Sequence, residues 1–282
     1  MAQNKKDGML MIKRYLTALV GTPIIVLLLL YSNKYVMDAI WGVIAIMAIY
    51  EVLKCLSKKY KPVYWLGFLA CLIIPFIHVI EFETLKNVLL LMPVGLLTIM
   101  FIQVVLTKME TSYTDMAVSF SAIMYIVGLT IFAPLIFGIE DNGELLGKFY
   151  IWYLFTASWG SDAWAYIIGV KFGKHKYSKI SPKKSVEGAI AGIIGGTIMM
   201  VIETAIFNNC FGLDISYLTI AGMGVLLTVL GQIGDLAASS IKRNVEVKDF
   251  SNLLPGHGGI VDRIDSVIFI APVAFFLFTL CL

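Results

Sequence analysis

The chain has 282 residues, of which 59% are hydrophobic and 15% charged, and it carries a net charge of +3; soluble domains carry about 25% charged residues. So few charges cannot cover that much apolar surface in water, and a disordered chain would need the opposite balance. An integral membrane protein is what remains, with no stretch between its apolar runs long enough for a sizeable soluble domain. The four cysteines, Cys55, Cys71, Cys210 and Cys281, form no C-x-x-C pair, so neither zinc-finger spacing nor a disulfide framework is supported.

In chain order, apolar runs cover residues 15–33, 36–56, 63–80, 87–106, 116–138, 149–170, 188–210, 217–241 and 264–282. Most are long enough to cross a hydrocarbon core of about 30 Å as a helix. The expected fold is therefore an all-α polytopic membrane protein with about nine transmembrane helices. Lys13 and Arg14 before Leu16–Leu30 imitate a signal peptide. No small-residue cleavage site comes after it and eight more runs do, so this run reads as the first span. Spans 1–5 make an N-terminal membrane region, 1–138, and spans 6–9 a catalytic region, 139–282, with cytoplasmic loops 171–187 and 242–263.

Basic residues set the orientation. Nine spans leave only Lys34, Lys86 and Lys148 on one side, and the other 19 of the 22 Lys and Arg fall opposite. The N-terminus is thus expected in the cytoplasm and the C-terminus outside, and the two polar loops, 171–187 and 242–263, face the cytoplasm.

Charges inside spans are costly and mark function by default. Glu51, Asp162, Glu203, Asp235 and Asp265 are such charges. Glu51 reads as reaching the interface, and Glu203 has no assigned role. Asp235, Ser239 and Lys242 lie at i, i+4, i+7 and share a helical face, while Gly231 and Gly234 allow close helix approach. That stripe could hold a metal–phosphate group; it equally suits a helix end whose Lys242 and Arg243 snorkel to headgroups. Residues 255–265, Pro-Gly-His-Gly-Gly-Ile-Val-Asp-Arg-Ile-Asp, form a flexible turn whose N–H groups can face an anion. Asp262 and Asp265 then lie i, i+3 at a helix start. Helix capping explains one of them easily; a hard divalent cation would relieve the repulsion between both. The loop Lys171–Gly188, with six lysines, suits a polyphosphate or an anionic headgroup, or an ordinary positive-inside loop.

Ser239-Ser-Ile-Lys-Arg243, Lys248-Asp249, Ser251, Leu254-Pro255, His257-Gly-Gly-Ile260 and Asp262-Arg-Ile-Asp265 together resemble the signature of the phosphatidate cytidylyltransferase (CDP-diacylglycerol synthase) family. Ser161-Asp162-Ala163-Trp164-Ala165-Tyr166, Gly173-Lys-His-Lys176 and Ser181-Pro-Lys-Lys-Ser-Val-Glu-Gly188 resemble it too, with Ser185 where Thr is commoner. The resemblance covers roughly the C-terminal half. It implies the reaction CTP + phosphatidate → CDP-diacylglycerol + pyrophosphate. It assigns Asp235, Asp262 and Asp265 to cation binding, with Asp162 as a fourth member and Lys242 beside them in catalysis. Lys183, Lys184, Arg243 and Lys248 are assigned to phosphates, Ser239 to supporting the acids, and His257, Gly258 and Gly259 to the nucleotide pocket. Ser181 and Arg263 complete the substrate-binding set. The implied cofactor is Mg²⁺, with a second cation such as K⁺. The implied partners are CTP, phosphatidate and membrane lipid, with no nucleic acid; a homodimer is a family-level expectation. By the lysine count the active site is expected to face the cytoplasm, in a polar cavity among spans 6, 8 and 9, and the short segment before the first span suits a bacterial inner membrane.

Two other classes fit parts of the pattern. A CTP-dependent polyprenol or lipid kinase would transfer the γ-phosphate. An ion-coupled transporter would use intramembrane acids, but here the acids gather at one interface. The Asp-Gly-x-x-Ala-Arg motif of CDP-alcohol phosphotransferases is absent.

Overall fold

The computed structural model describes residues 19, 21, 23–108, 110–141, 143–176, 178, 180–253 and 258–282. Much of the first apolar run, His257 and Lys179 lie outside the described residues. Among those described, the secondary structure is helical apart from one antiparallel hairpin of Glu140–Asp141 and Glu144–Leu145 and a single isolated bridge, Lys176 to Ser185. Six helices are long and apolar enough to cross a membrane. They are α1 (Lys34–Leu56), α3 (Phe82–Leu106), α4 (Tyr113–Thr130, continued by α5, Phe132–Phe137), α8 (Val186–Phe211), α9 (Tyr217–Asn244) and α10 (Val261–Cys281). Their outer faces stay apolar: α3 leaves Leu90, Leu91, Val94, Val105 and Leu106 exposed. Surface of that kind cannot face water and marks a multi-pass membrane protein.

Two expected spans are not single long α-helices. The run 63–80 forms the short helix α2 (Tyr64–Cys71) and a 3₁₀ turn, Ile74–Phe76, in which Pro75 limits regular hydrogen bonding. The run 149–170 forms α6 (Gly147–Phe155), a π turn (Thr156–Gly160) and α7 (Ser161–Phe172).

The chain folds as two compact units. The first holds the residues through Pro134 together with Val245–Arg263. Asn33 caps α1 by accepting the Val36 N–H at 2.9 Å. Ser112 and Asp115 form a capping box on α4. Asp115 also accepts the Lys61 N–H at 2.7 Å, and Ser119 Oγ accepts that of Val63 at 2.9 Å. Near the start of α1, the fully buried Asp38 accepts the backbone N–H of His78 at 3.1 Å and pairs with its ring Nδ1 at 2.8 Å.

The second unit holds Leu135–Asn244 and Ile264–Leu282. Its core gathers Phe149, Tyr153, Phe207 and Phe278, with the Tyr153 ring 5.6 Å from Phe207 and 6.0 Å from Phe278. Ser185 caps α8, accepting the Gly188 N–H at 3.2 Å, and Gly212 in the left-handed region ends it. Helix α9 packs on α10 through Gly234, where a Cβ would sit 2.6 Å from the Phe269 Cβ; at Gly231 the nearest atom would be 3.8 Å away.

Gly234→Val is therefore expected to lower stability by about 1–3 kcal/mol through overpacking, while Gly231→Ala leaves it nearly unchanged. Thermal unfolding of the two purified variants in detergent checks this; equal melting temperatures would contradict the packing.

Candidate active site

A cavity of about 720 Å³ opens in the second unit, walled by α7, the start of α8, α9 and the loop between α7 and α8. Its polar lining is Asp162, Tyr166, Lys176, Lys183, Lys184, Ser185, Gln232 and Asp235. The sequence places such a cavity among spans 6, 8 and 9. Here the start of span 7 replaces span 9 in the wall. The cause is close approach of α7 and α8: a Cβ on Gly188 would lie 2.7 Å from the Ala165 carbonyl oxygen and 3.1 Å from the Gly169 Cα.

The basic loop is held by its own hydrogen bonds. Glu187, in the first turn of α8, accepts the N–H groups of Lys174 at 3.2 Å and His175 at 3.3 Å, and pairs with His175 Nδ1 at 2.6 Å. The His175 carbonyl accepts the Val186 N–H at 2.9 Å, and Lys176 bridges to Ser185 as a single antiparallel pair. Arg243, at the end of α9, donates from Nε to the Ile180 carbonyl at 3.3 Å. Ser181 donates its N–H to Ser178 Oγ at 3.3 Å and does not line the cavity.

Lys184 forms an ion pair with Asp235, each side chain about one quarter exposed (24% and 25%). This joins the loop to α9 across the cavity. Ser239, Lys242 and Asp265 are buried, at 7%, 7% and 6% exposure. The charged neighbours of Asp265 are Asp235, Lys242 and Asp162; its Oδ1 accepts the Ser266 N–H at 2.8 Å. Three carboxylates grouped in low-dielectric surroundings repel one another. Lysines 184 and 242 offset part of that, and a bound cation would offset more. Among the described residues, no three His, Cys, Asp or Glu side chains lie close enough to hold a metal ion by themselves. Carboxylate oxygens are hard donors, and one or two of them would suit Mg²⁺, whose remaining ligands are commonly water and substrate phosphate oxygens.

The structure thus brings Asp162, Lys183, Lys184 and Asp235 to one cavity, with Ser239, Lys242 and Asp265 buried in the same unit. Of the other expected residues, Ser181 and Arg243 also belong to the second unit, and Lys248, Gly258, Gly259, Asp262 and Arg263 to the first. Lys248 and Arg263 are exposed there, and Gly258 is in the left-handed region at φ +82°. Asp262 Oδ2 accepts the N–H groups of Phe250 at 2.9 Å and Gly259 at 3.0 Å. His257 lies outside the described residues. Sequence reasoning missed Gln232, whose amide donates to the Ala189 carbonyl at 3.0 Å. Its position three residues before Asp235, on the same helical face, was the available signal. Glu51 was seen only as an interface acid, although its carboxylate accepts three hydrogen bonds. Glu203 does not line the cavity.

The chain matches the model of the cytidylyltransferase family over residues 12–281. It is 43% identical to the phosphatidate cytidylyltransferase of Bacillus subtilis over 140 residues, about half of each chain (49% and 51%). It is 32% identical to that of Staphylococcus aureus over 269 residues, 92% of this chain and 95% of the relative. The phosphatidate cytidylyltransferase of Thermotoga maritima is 29% identical over 274 residues, 94% and 95% of the two chains. Near-complete coverage at this identity, with the match to the family model, makes the protein a nucleotidyltransferase and a member of the cytidylyltransferase family.

Proposed function

We propose that the protein transfers the cytidylyl group of CTP to phosphatidate, forming CDP-diacylglycerol and releasing pyrophosphate. One observation carries this reading: in a member of the cytidylyltransferase family, Asp162 and Asp235 share one cavity with Lys183 and Lys184, and Asp265 and Lys242 are buried beside them. A phosphate oxygen of phosphatidate attacks the α-phosphorus of CTP, and the bond to the β-phosphate oxygen breaks. The attacking phosphate monoester is largely a dianion near neutral pH, its second pKa being about 6, so no strong general base is needed. The task left to the protein is neutralising the triphosphate and the leaving pyrophosphate. Lys183 and Lys184 are assigned to phosphate oxygens in the cavity, and Lys242 to balancing the buried acids. Mg²⁺, held by Asp235 and Asp265 with Asp162 nearby, would supply further charge neutralisation.

The proposed topology is nine crossings of a bacterial inner membrane, with the N-terminus in the cytoplasm and the site facing it. The lysine asymmetry supports it, and so do contacts in the first unit. The segment 61–78 meets the α4 start at Lys61 and Val63 and the α1 start at His78. From Asp38 to the end of α1 is about 27 Å at 1.5 Å per residue, so this broken segment runs most of a bilayer's thickness.

Asp235→Asn and Asp265→Asn, purified and shown to be folded, are expected to lose about 100-fold or more of CDP-diacylglycerol formation; wild-type turnover in either would sink the site assignment. For topology, a cysteine-free chain carrying Ser178→Cys is expected to react with an impermeant maleimide in inverted vesicles, and one carrying Glu144→Cys in intact cells. The reverse pattern would refute the orientation.

A further inference from the structure

Glu51 takes no part in the proposed chemistry, yet its carboxylate is among the most heavily used in the first unit. It stands on α1, 3% exposed. Oε1 accepts the Ser251 hydroxyl at 2.6 Å and the Ile260 N–H at 3.0 Å, and Oε2 accepts the Val261 N–H at 3.0 Å. Ile260 and Val261 are the residues at which α10 begins. A helix start leaves its first N–H groups without intrahelical partners and carries partial positive charge. Most helices meet this need with a nearby side chain. Here the acceptor comes from another helix, about 210 residues away in sequence.

The fit around that carboxylate is close. A Cβ at Gly259 would overlap Glu51 Oε2 and come within 2.8 Å of its Cδ. A side chain at position 259 would therefore have to displace the Glu51 carboxylate from its hydrogen bonds. Asp262 completes the arrangement by accepting the N–H groups of Phe250 and Gly259. Together the two carboxylates hold the Phe250 N–H and the Ser251 hydroxyl on one side and the N–H groups of Gly259, Ile260 and Val261 on the other.

We infer that Glu51 is a positioning residue for cytidylyl transfer: it sets the first turn of α10, the helix that carries Asp262 and, three residues on, Asp265. The inference rests on the function proposed above. Misplacing catalytic groups by about 1 Å can cost roughly 100-fold, so a change at Glu51 is expected to act on turnover more than on folding.

Glu51→Gln keeps the length but turns an amide N–H₂ toward a backbone N–H. In full-length protein reconstituted with phosphatidate, it is expected to reduce kcat about 10- to 100-fold. The KM for CTP and the melting temperature stay close to wild type, and hydrogen exchange at 258–262 speeds up. A kcat equal to wild type, or a loss that merely tracks the amount of folded protein, would overturn the inference. Gly259→Ala, whose new methyl meets the carboxylate, is expected to lose turnover, and Glu51→Asp/Gly259→Ala to recover several-fold of it by making room. This pair decides the matter if Glu51→Gln does not fold, and absence of recovery would count against the role. If the wild-type protein itself makes no CDP-diacylglycerol, the proposed function fails; if it does and the variants match it, only the role of Glu51 fails.

Discussion

The Lys184–Asp235 ion pair expresses the constraint on which the second unit is built. A chain made of apolar helices can afford charge only where each charge finds a partner. Asp162, Asp235 and Asp265 are brought together at the ends of helices, and the lysines that offset them come from two sources. Lys242 lies two turns beyond Asp235 on α9, and Lys184 comes from the loop before α8. The loop therefore cannot be a loose tether. Glu187, Ser185 and Arg243 hold it by backbone hydrogen bonds, so its lysines reach the cavity from a fixed backbone.

Helix packing determines where the acids point. The π turn at Thr156–Gly160 comes just before Ser161 and Asp162. A π turn widens the helix by one residue and rotates the next turns about the axis, so the facing of Asp162 is set by that irregularity as much as by its place in the sequence. Small residues on α8 and α9 then let neighbouring helices approach, and the cavity is what remains between α7, α8 and α9 where their polar ends meet.

Much of this was legible in the sequence. The membrane class came from composition, because burying a 59% hydrophobic chain leaves no other solvent for its outer faces. The acids and lysines of the cavity stood out because charge within apolar runs is rare, and the spacing of Asp235, Ser239 and Lys242 put them on one face before any coordinates. What was hidden depended on irregular backbone or distant pairing. Apolar periodicity cannot show that 149–170 bends through a π turn, or that 63–80 breaks into a short helix and a 3₁₀ turn at Pro75. Nor can it show that Glu51 serves a helix start about 210 residues away, since nothing local distinguishes such an acid from one reaching the interface. Asp262 reads in the sequence as a cation ligand, with helix capping as the alternative, and the hydrogen bonds it accepts from Phe250 and Gly259 show it clamping the backbone before α10.

The central claim is that the cavity acts on the α-phosphorus of CTP. Supplying the purified protein with phosphatidate and CTP labelled in either the α- or the γ-phosphate tests this directly. The predicted result is α-label in the lipid and γ-label in released pyrophosphate. Gamma-label in the lipid, or no label in lipid from either nucleotide, would contradict it.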